Sequence, residues 1–292
     1  MAHTQGVPEW LSTSDGRWLH AMVRPGPADA PKVVFEAGAA ASRSSWGLVQ
    51  PLVAEFARTV VYDRSGLGRS APDPAGRTLD RMAADLVEVL AHFGPGPYVL
   101  AGHSAGGPIV RLAAARTGAD IAGLALVEPT DEAAEVLFSP RFRRNERIFA
   151  RLGVGLASVG LLKPLYRPML RAVPDDVRRD LVREAFTPQV MRTMGEQART
   201  FLDELAAWRT TPPDPRGIPV TILSGGRAGD GMNAAVRAQA NAAHAHRVAN
   251  SPHGRQVYAH RSGHLVPITE PELVAEEVRR LALSRPDRPR SR

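Results

Sequence analysis

The sequence predicts an α/β fold: a mostly parallel sheet covered by helices on both faces. Two observations predict it. Of six short apolar runs, each closed by turn residues, several are continuous rather than alternating, as expected for strands buried on both faces. Helical patterns lie between them, and strands alternating with helices build parallel crossovers. The chain of 292 residues, 43% of them hydrophobic, is long enough to enclose a sizeable core without a metal or disulfide staple.

The elements follow in order. Apolar residues flank Asp15-Gly16, a dipeptide suited to a type I′ hairpin turn. The strand candidates are Val33-Phe35, Val60-Tyr62, Tyr98-Leu100, Leu124-Val127, Val220-Leu223 and Val257-Ala259. Leu79, Met82, Leu86, Leu90 and Phe93 recur at helical spacing behind Thr78, a candidate N-cap. A helix over Ile109 to Ala115 directly follows the third strand. Thr269-Glu270-Pro271-Glu272 fits a capping box with Pro in the first turn and opens a helix through Leu281.

One stretch breaks the alternation. Residues 132–213 carry helical patterns and proline breaks but no convincing strand, and they end in a proline-rich linker, Thr210 to Pro215. The expected organisation is a core in two parts, 1–131 and 214–283, with 132–213 inserted between strands as a helical cap. Residues 284–292 read as a disordered tail.

Composition excludes several functions. Cysteine is absent, which removes a disulfide scaffold, a Cys nucleophile and Cys-ligated metal or iron–sulfur centres. The net charge is +7, yet nearly all basic residues are Arg and they spread along the chain, denser over 141–183. Arg written for Lys throughout suggests a genomic bias, and no nucleic-acid partner is expected. The longest weakly apolar run, Leu152 to Leu162, is far short of the roughly 20 residues a bilayer span needs. It reads as a buried or groove-lining helix. No leader pattern opens the sequence, so the cytoplasm is the expected location.

The sharpest motif is Gly102-His103-Ser104-Ala105-Gly106-Gly107, a G-x-S-x-G pattern between a buried strand and a helix. Glycines let neighbouring backbone approach a Ser held in a strained turn. The following helix N-terminus favours a developing oxyanion. His103 is adjacent in sequence but points elsewhere, so it reads as a packing residue. A second pattern, Asp63-x-x-Gly66-x-Gly68-x-Ser70, reads as a structural turn and is assigned no chemistry.

With these two motifs the chain resembles the α/β-hydrolase fold family over nearly its whole length. The resemblance implies a Ser nucleophile at Ser104 and a base at His264, which follows the last strand in Ser262-Gly263-His264. Most members place the acid just after the strand that here is Val220-Leu223. Ala228 stands at that place, and Asp230 comes two residues late. Some members take the acid from the preceding strand, where Glu128 stands here. Glu128 is the preferred acid and Asp230 the alternative. The implied oxyanion donors are the backbone N–H groups of Ala105 and Ala39, in a loop made tight by Gly38. Glu36 is expected to hydrogen-bond that loop. Arg43 to Trp46 are placed at the entrance.

The expected activity is hydrolysis of a small-molecule carboxylic ester or lactone through an acyl-enzyme, with no metal or organic cofactor. A Ser at the nucleophile position argues against dehalogenase or epoxide hydrolase chemistry, for which relatives use Asp. Substrate-pocket candidates are Gly38, Trp46, Phe138, Phe142, Tyr166 and Trp208, with Phe149 as a further wall. A second class fits the same residues: a small-molecule receptor or signalling protein with slow or no turnover. The sequence leaves the oligomeric state open.

Overall fold

A computed structural model describes residues 2–27, 30–214 and 217–283. The expected tail, 284–292, and the end of the linker at Pro215 lie outside the described residues. Eight strands form one sheet: β1 (Val7–Ser12), β2 (Trp18–Arg24), β3 (Lys32–Glu36), β4 (Arg58–Tyr62), β5 (Tyr98–His103), β6 (Ile121–Val127), β7 (Val220–Gly225) and β8 (Gly254–Ala259). Their spatial order is β1-β2-β4-β3-β5-β6-β7-β8. Pairing is antiparallel from β1 through β2 to β4 and parallel from β4 onward.

The apolar runs are continuous because both faces of the central strands are covered. Along β5, Tyr98 and Leu100 pack into one apolar cluster, while Val99 and Ala101 pack into the other. The helices Leu79–His92 and Gly106–Arg116 cover the first face. The helices Val49–Val53 and Pro271–Leu283 cover the second. Thr78 caps its helix as expected, its hydroxyl accepting from Arg81 N–H at 3.1 Å. In-register pairing brings Glu36, His103, Val127, Gly225 and Ala259 to the same edge, where the parallel strands end. Ligands of open parallel sheets bind at that edge.

Three local expectations change. The first hairpin closes over Thr13 to Arg17, with Gly16 alone at positive φ, so its turn is longer than the two-residue type I′ form. The capping box does not form: Thr269 ends a short preceding helix and donates to Ser262 Oγ, and the last helix starts at Pro271. Leu152 to Leu162 is not a buried or groove-lining run. Leu152, Val159 and Leu161 are exposed, and the buried positions are Gly153, Ala157 and Leu162.

The chain between β6 and β7 is helical, running from a short turn at Glu135–Phe138 through Pro140–Ser158 to Phe201–Ala207. It has an apolar cluster of its own, containing Leu162, Leu170, Val177, Leu181 and Met191. Two cations tie this layer to the sheet side: Arg43 and Arg69, the latter donating to Glu184 Oε1 at 2.7 Å and Asp180 Oδ1 at 3.0 Å. Arg43 is fully buried and donates to Asp63 Oδ2, Asp180 Oδ2 and Glu184 Oε2, each at 2.6 Å. Asp63 directly follows β4, whereas Asp180 and Glu184 lie on the helix Asp175–Glu184. The burial of Arg43 removes it from the entrance role expected for it.

Taking one partner from a buried ionic cluster strands the others without solvent. Arg43→Met is expected to destabilise the protein by about 3–5 kcal/mol in chemical denaturation. A loss no larger than that of a surface substitution would contradict this account of how the helical layer is held.

Candidate active site

The β5 strand delivers Ser104 into a left-handed turn, φ 54°, before the helix Gly106–Arg116 begins. That conformation is costly for a non-glycine residue. Its surroundings hold it: Ser104 N–H donates to Val127 O, and Ser104 O accepts from the N–H groups of Gly107 and Thr130, all at 3.0 Å. The glycines of the motif permit the close packing. A Cβ on Gly102 would lie 2.6 Å from Gly106 O, and one on Gly106 would lie 2.6 Å from Glu36 O.

Glu128 directly follows β6 and has a second left-handed backbone, φ 47°. Its carboxylate is buried and accepts three hydrogen bonds. Gly225 N–H reaches Oε1, Arg237 Nη1 reaches Oε2 at 2.6 Å, and His264 Nδ1 reaches Oε2 at 3.3 Å. Burial alone would raise its pKa, but the bonds from His264, Arg237 and Gly225 prevail and hold it at about 2. Since an ionised carboxylate only accepts, Nδ1 of His264 carries the ring proton, leaving Nε2 free to accept one.

Asp230 also has left-handed backbone, φ 51°. Its carboxylate accepts from the main-chain N–H of His264 at 2.9 Å. A Cβ on Gly263 would collide with that carboxylate at 2.5 Å, so the contact requires glycine there. The structure thus brings Glu128 to the imidazole ring and Asp230 to the peptide carrying it. His103 packs beside His264 with ring centroids 4.8 Å apart, and its Nε2 donates to His264 O at 2.9 Å. Burial first, and His264 second, push His103 down to about 3, so it is neutral.

Ser104, Glu128, Asp230 and His264 line one cavity of about 700 Å³, together with Ala39 and Ala105. Among the described residues, neither the Ala39 nor the Ala105 N–H has an acceptor. Gly38 lies behind this wall; a Cβ there would sit 3.4 Å from Ser104 Cβ and 3.3 Å from His103 Nδ1. The loop is held from below by Arg64, which donates to Ala37 O and Gly38 O at 2.5 Å and Ala39 O at 3.2 Å. Arg64 and Tyr62 both bond the buried Glu36 carboxylate. Glu36 therefore supports the loop through Arg64.

The profile of the alpha/beta hydrolase family matches residues 33–277. The chain belongs to the alpha/beta hydrolase family. Among curated relatives, protein YqjL of Bacillus subtilis is 34% identical over 134 residues, 44% of this chain and 51% of that protein. The non-heme haloperoxidase of Rhodococcus erythropolis is 39% identical over 88 residues, 30% of this chain and 32% of that protein. These matches span about half the relatives' length or less. The epoxide hydrolase CorEH has the same fold, with a TM-score of 0.73 at 18% identity over 94% of this chain and 98% of that one.

Within this alpha/beta hydrolase, several pocket candidates lie elsewhere. Phe142 and Phe149 line the cavity. Trp46 does not: it is fully buried against Phe35, with ring centroids 4.9 Å apart. Phe138 packs on the core under the Arg209 guanidinium. Tyr166 packs on Phe186 inside the helical layer, 5.3 Å between centroids. Trp208 lies beneath Arg111 and lines a separate cavity of about 530 Å³. Trp46 finds its apolar contacts in the core and Tyr166 in the helical layer, while Phe138 and Trp208 are half-buried beneath guanidinium groups. Ser44 is buried as well, so it forms no entrance.

Two residues escaped the sequence reading. Arg237 sits on the helix Ala234–Ala249, 109 positions from the carboxylate it binds, and nothing local distinguishes it. Arg64 stood inside a motif read as a turn. Gly66 and Gly68 do form that turn at positive φ, but Arg64 reaches across to the loop after β3. Among the described residues, no cluster of His and carboxylates has metal-holding geometry.

The Glu128 pKa has a consequence for stability. Its folded value, about 2, lies below the ordinary 4.5, so ionised Glu128 stabilises the fold above pH 4.5. That contribution is lost as pH falls from 4.5 toward 2. In acid unfolding, Glu128→Gln is expected to show a shallower stability loss across this window than the wild type. Identical slopes would contradict an ionised, bonded Glu128.

Proposed function

We propose that the protein is a serine hydrolase that cleaves a carboxylic ester or lactone through an acyl-enzyme. The observation that carries this reading is that an elbow Ser104 and a bonded His264–Glu128 pair line the wall of one cavity. In this reading His264 Nε2 takes the Ser104 hydroxyl proton as Oγ attacks the substrate carbonyl carbon. The unbonded N–H groups of Ala39 and Ala105 receive the developing oxyanion. The tetrahedral intermediate then collapses, and its C–O bond to the alcohol breaks. The departing oxygen takes the proton from His264; a lactone's alcohol stays tethered to the acyl chain. Water, deprotonated by His264, attacks the acyl-enzyme and releases the acid. Glu128 keeps the imidazole in the right tautomer and stabilises its cationic form.

The cavity supports an apolar acyl or alcohol portion. Leu137, Phe142, Phe149, Met194 and Phe201 face it, among polar residues that include Arg141, Asn145, Glu146 and Gln197. Hydrolases among the relatives agree with the reaction class. One is named a carbamate hydrolase, RutD of Klebsiella pneumoniae, 34% identical over 42% of this chain and 45% of that protein.

A fluorophosphonate probe tests the nucleophile directly. One adduct by intact mass on the wild type and none on Ser104→Ala is expected; no adduct on either would favour the receptor reading. The acid is tested by kcat/KM on an ester substrate. Glu128→Ala is expected to lose about 10³–10⁴-fold and Asp230→Ala about tenfold, with His264→Ala at least as damaging as Glu128→Ala. A severe Asp230→Ala beside a mild Glu128→Ala would move the acid to Asp230.

A further inference from the structure

The outer face of the helix Pro140–Ser158 and the chain after it combine two features. Eleven large hydrophobic side chains are exposed among the described residues, and six of them fall between 148 and 165: Ile148, Phe149, Leu152, Val159, Leu161 and Leu165. The same stretch is strongly basic. Residues 140–172 hold eight basic side chains and one acidic one, Glu146, which lines the cavity. Of the eight, only Arg143 has a carboxylate partner among the described residues, Asp203. Elsewhere in the protein arginines are generally paired, as at Arg17, Arg43, Arg64, Arg111, Arg237 and Arg247.

Helical geometry sorts these side chains. Arg144, Ile148 and Leu152 stand four apart, one above the other, on the exposed face, and Val159 continues the line at the helix end. Arg147 and Arg151 flank them, both exposed. Lys163, Arg167 and Arg171 continue the basic border around Leu161 and Leu165. An apolar stripe edged by unpaired cations is the pattern of a helix lying in a membrane interface. A solvated face has no reason to expose the apolar stripe. A symmetric contact between two copies would set like charges against each other.

We infer that this face docks on an anionic phospholipid surface, with Ile148, Leu152 and Leu165 entering the headgroup boundary and Arg144, Arg147 and Arg151 meeting lipid phosphates. It is a peripheral contact: among the described residues no helix is long and apolar enough to cross a membrane. The inner edge of the helix supplies Phe142, Asn145 and Phe149 to the cavity, so docking turns a cavity wall toward the lipid. Resting on the ester-hydrolase reading, this points to substrates that partition from the lipid phase.

Co-sedimentation with phosphatidylcholine vesicles, with and without phosphatidylglycerol, tests the docking. Binding to the anionic vesicles alone is expected, weakening with added salt. The triple variant Arg144→Gln, Arg147→Gln, Arg151→Gln is expected to bind about a hundredfold more weakly. Ile148→Ser with Leu152→Ser is expected to cost about tenfold or more. Turnover of a water-soluble ester should be unchanged in both variants. Ser104→Ala should bind vesicles like the wild type, which separates docking from hydrolysis. The inference is overturned if anionic vesicles do not bind. It is also overturned if the Ile148/Leu152 variant binds them normally, which would mean attraction to any polyanion. Loss of a dimer in that variant, without vesicle binding, would instead make the face a contact between copies.

Discussion

A carboxylate charge held out of water at the end of β6 sets the terms for the rest of the site. Glu128 is buried at 2% exposure, and a lone ion there would be strongly disfavoured. Three donors from three elements make it tolerable: the peptide at the end of β7, the guanidinium of Arg237, and the His264 ring. Each donor is thereby fixed in place by the charge it stabilises. The left-handed backbones of Ser104 and Glu128 belong to the same arrangement, since Ser104 N–H bonds the residue just before Glu128. Strain of this kind persists only where neighbours over-determine it.

The loop after β3 follows a parallel logic with the opposite sign. There a buried cation, Arg64, gathers three consecutive carbonyls and also bonds the Glu36 carboxyl group. The carbonyls are taken up by Arg64, whereas the N–H of Ala39, a residue of the cavity wall, has no acceptor among the described residues. The same division recurs at Arg43, where a third buried cation joins sheet and helical layer. Arginine suits all three places because its planar fork serves several acceptors at once.

The sheet was legible because burial on both faces leaves continuous apolar runs, and each predicted run is a strand. Ser104 and His264 were legible because their surroundings are local: an elbow in one case, a strand end in the other. Glu128 could be preferred over Asp230 only because Ala228 empties the usual place. The roles of Arg237 and Arg64 depend on contacts across the fold and leave no local pattern. Of the aromatic candidates, Phe142 and Phe149 line the cavity, and the others lie elsewhere for a physical reason. Trp46, Tyr166 and Trp208 are large apolar surfaces, and a core competes for them as strongly as a pocket does. Leu152 to Leu162 misled because its mean character is apolar, while Leu152, Val159 and Leu161 are exposed and Val154 and Leu156 are only partly buried.

The anchoring around Arg43 extends to residues near the start of the chain. Thr4 Oγ1 donates to Asp176 Oδ1 at 2.9 Å, His3 Nε2 lies 3.3 Å from Asp180 Oδ2, and Gln5 Nε2 donates to Arg43 O at 3.0 Å. These three residues act as a strap across the helix Asp175–Glu184. A fusion tag joined directly ahead of them, or a trim that removes them, is therefore an intervention on the helical layer rather than a neutral cloning choice.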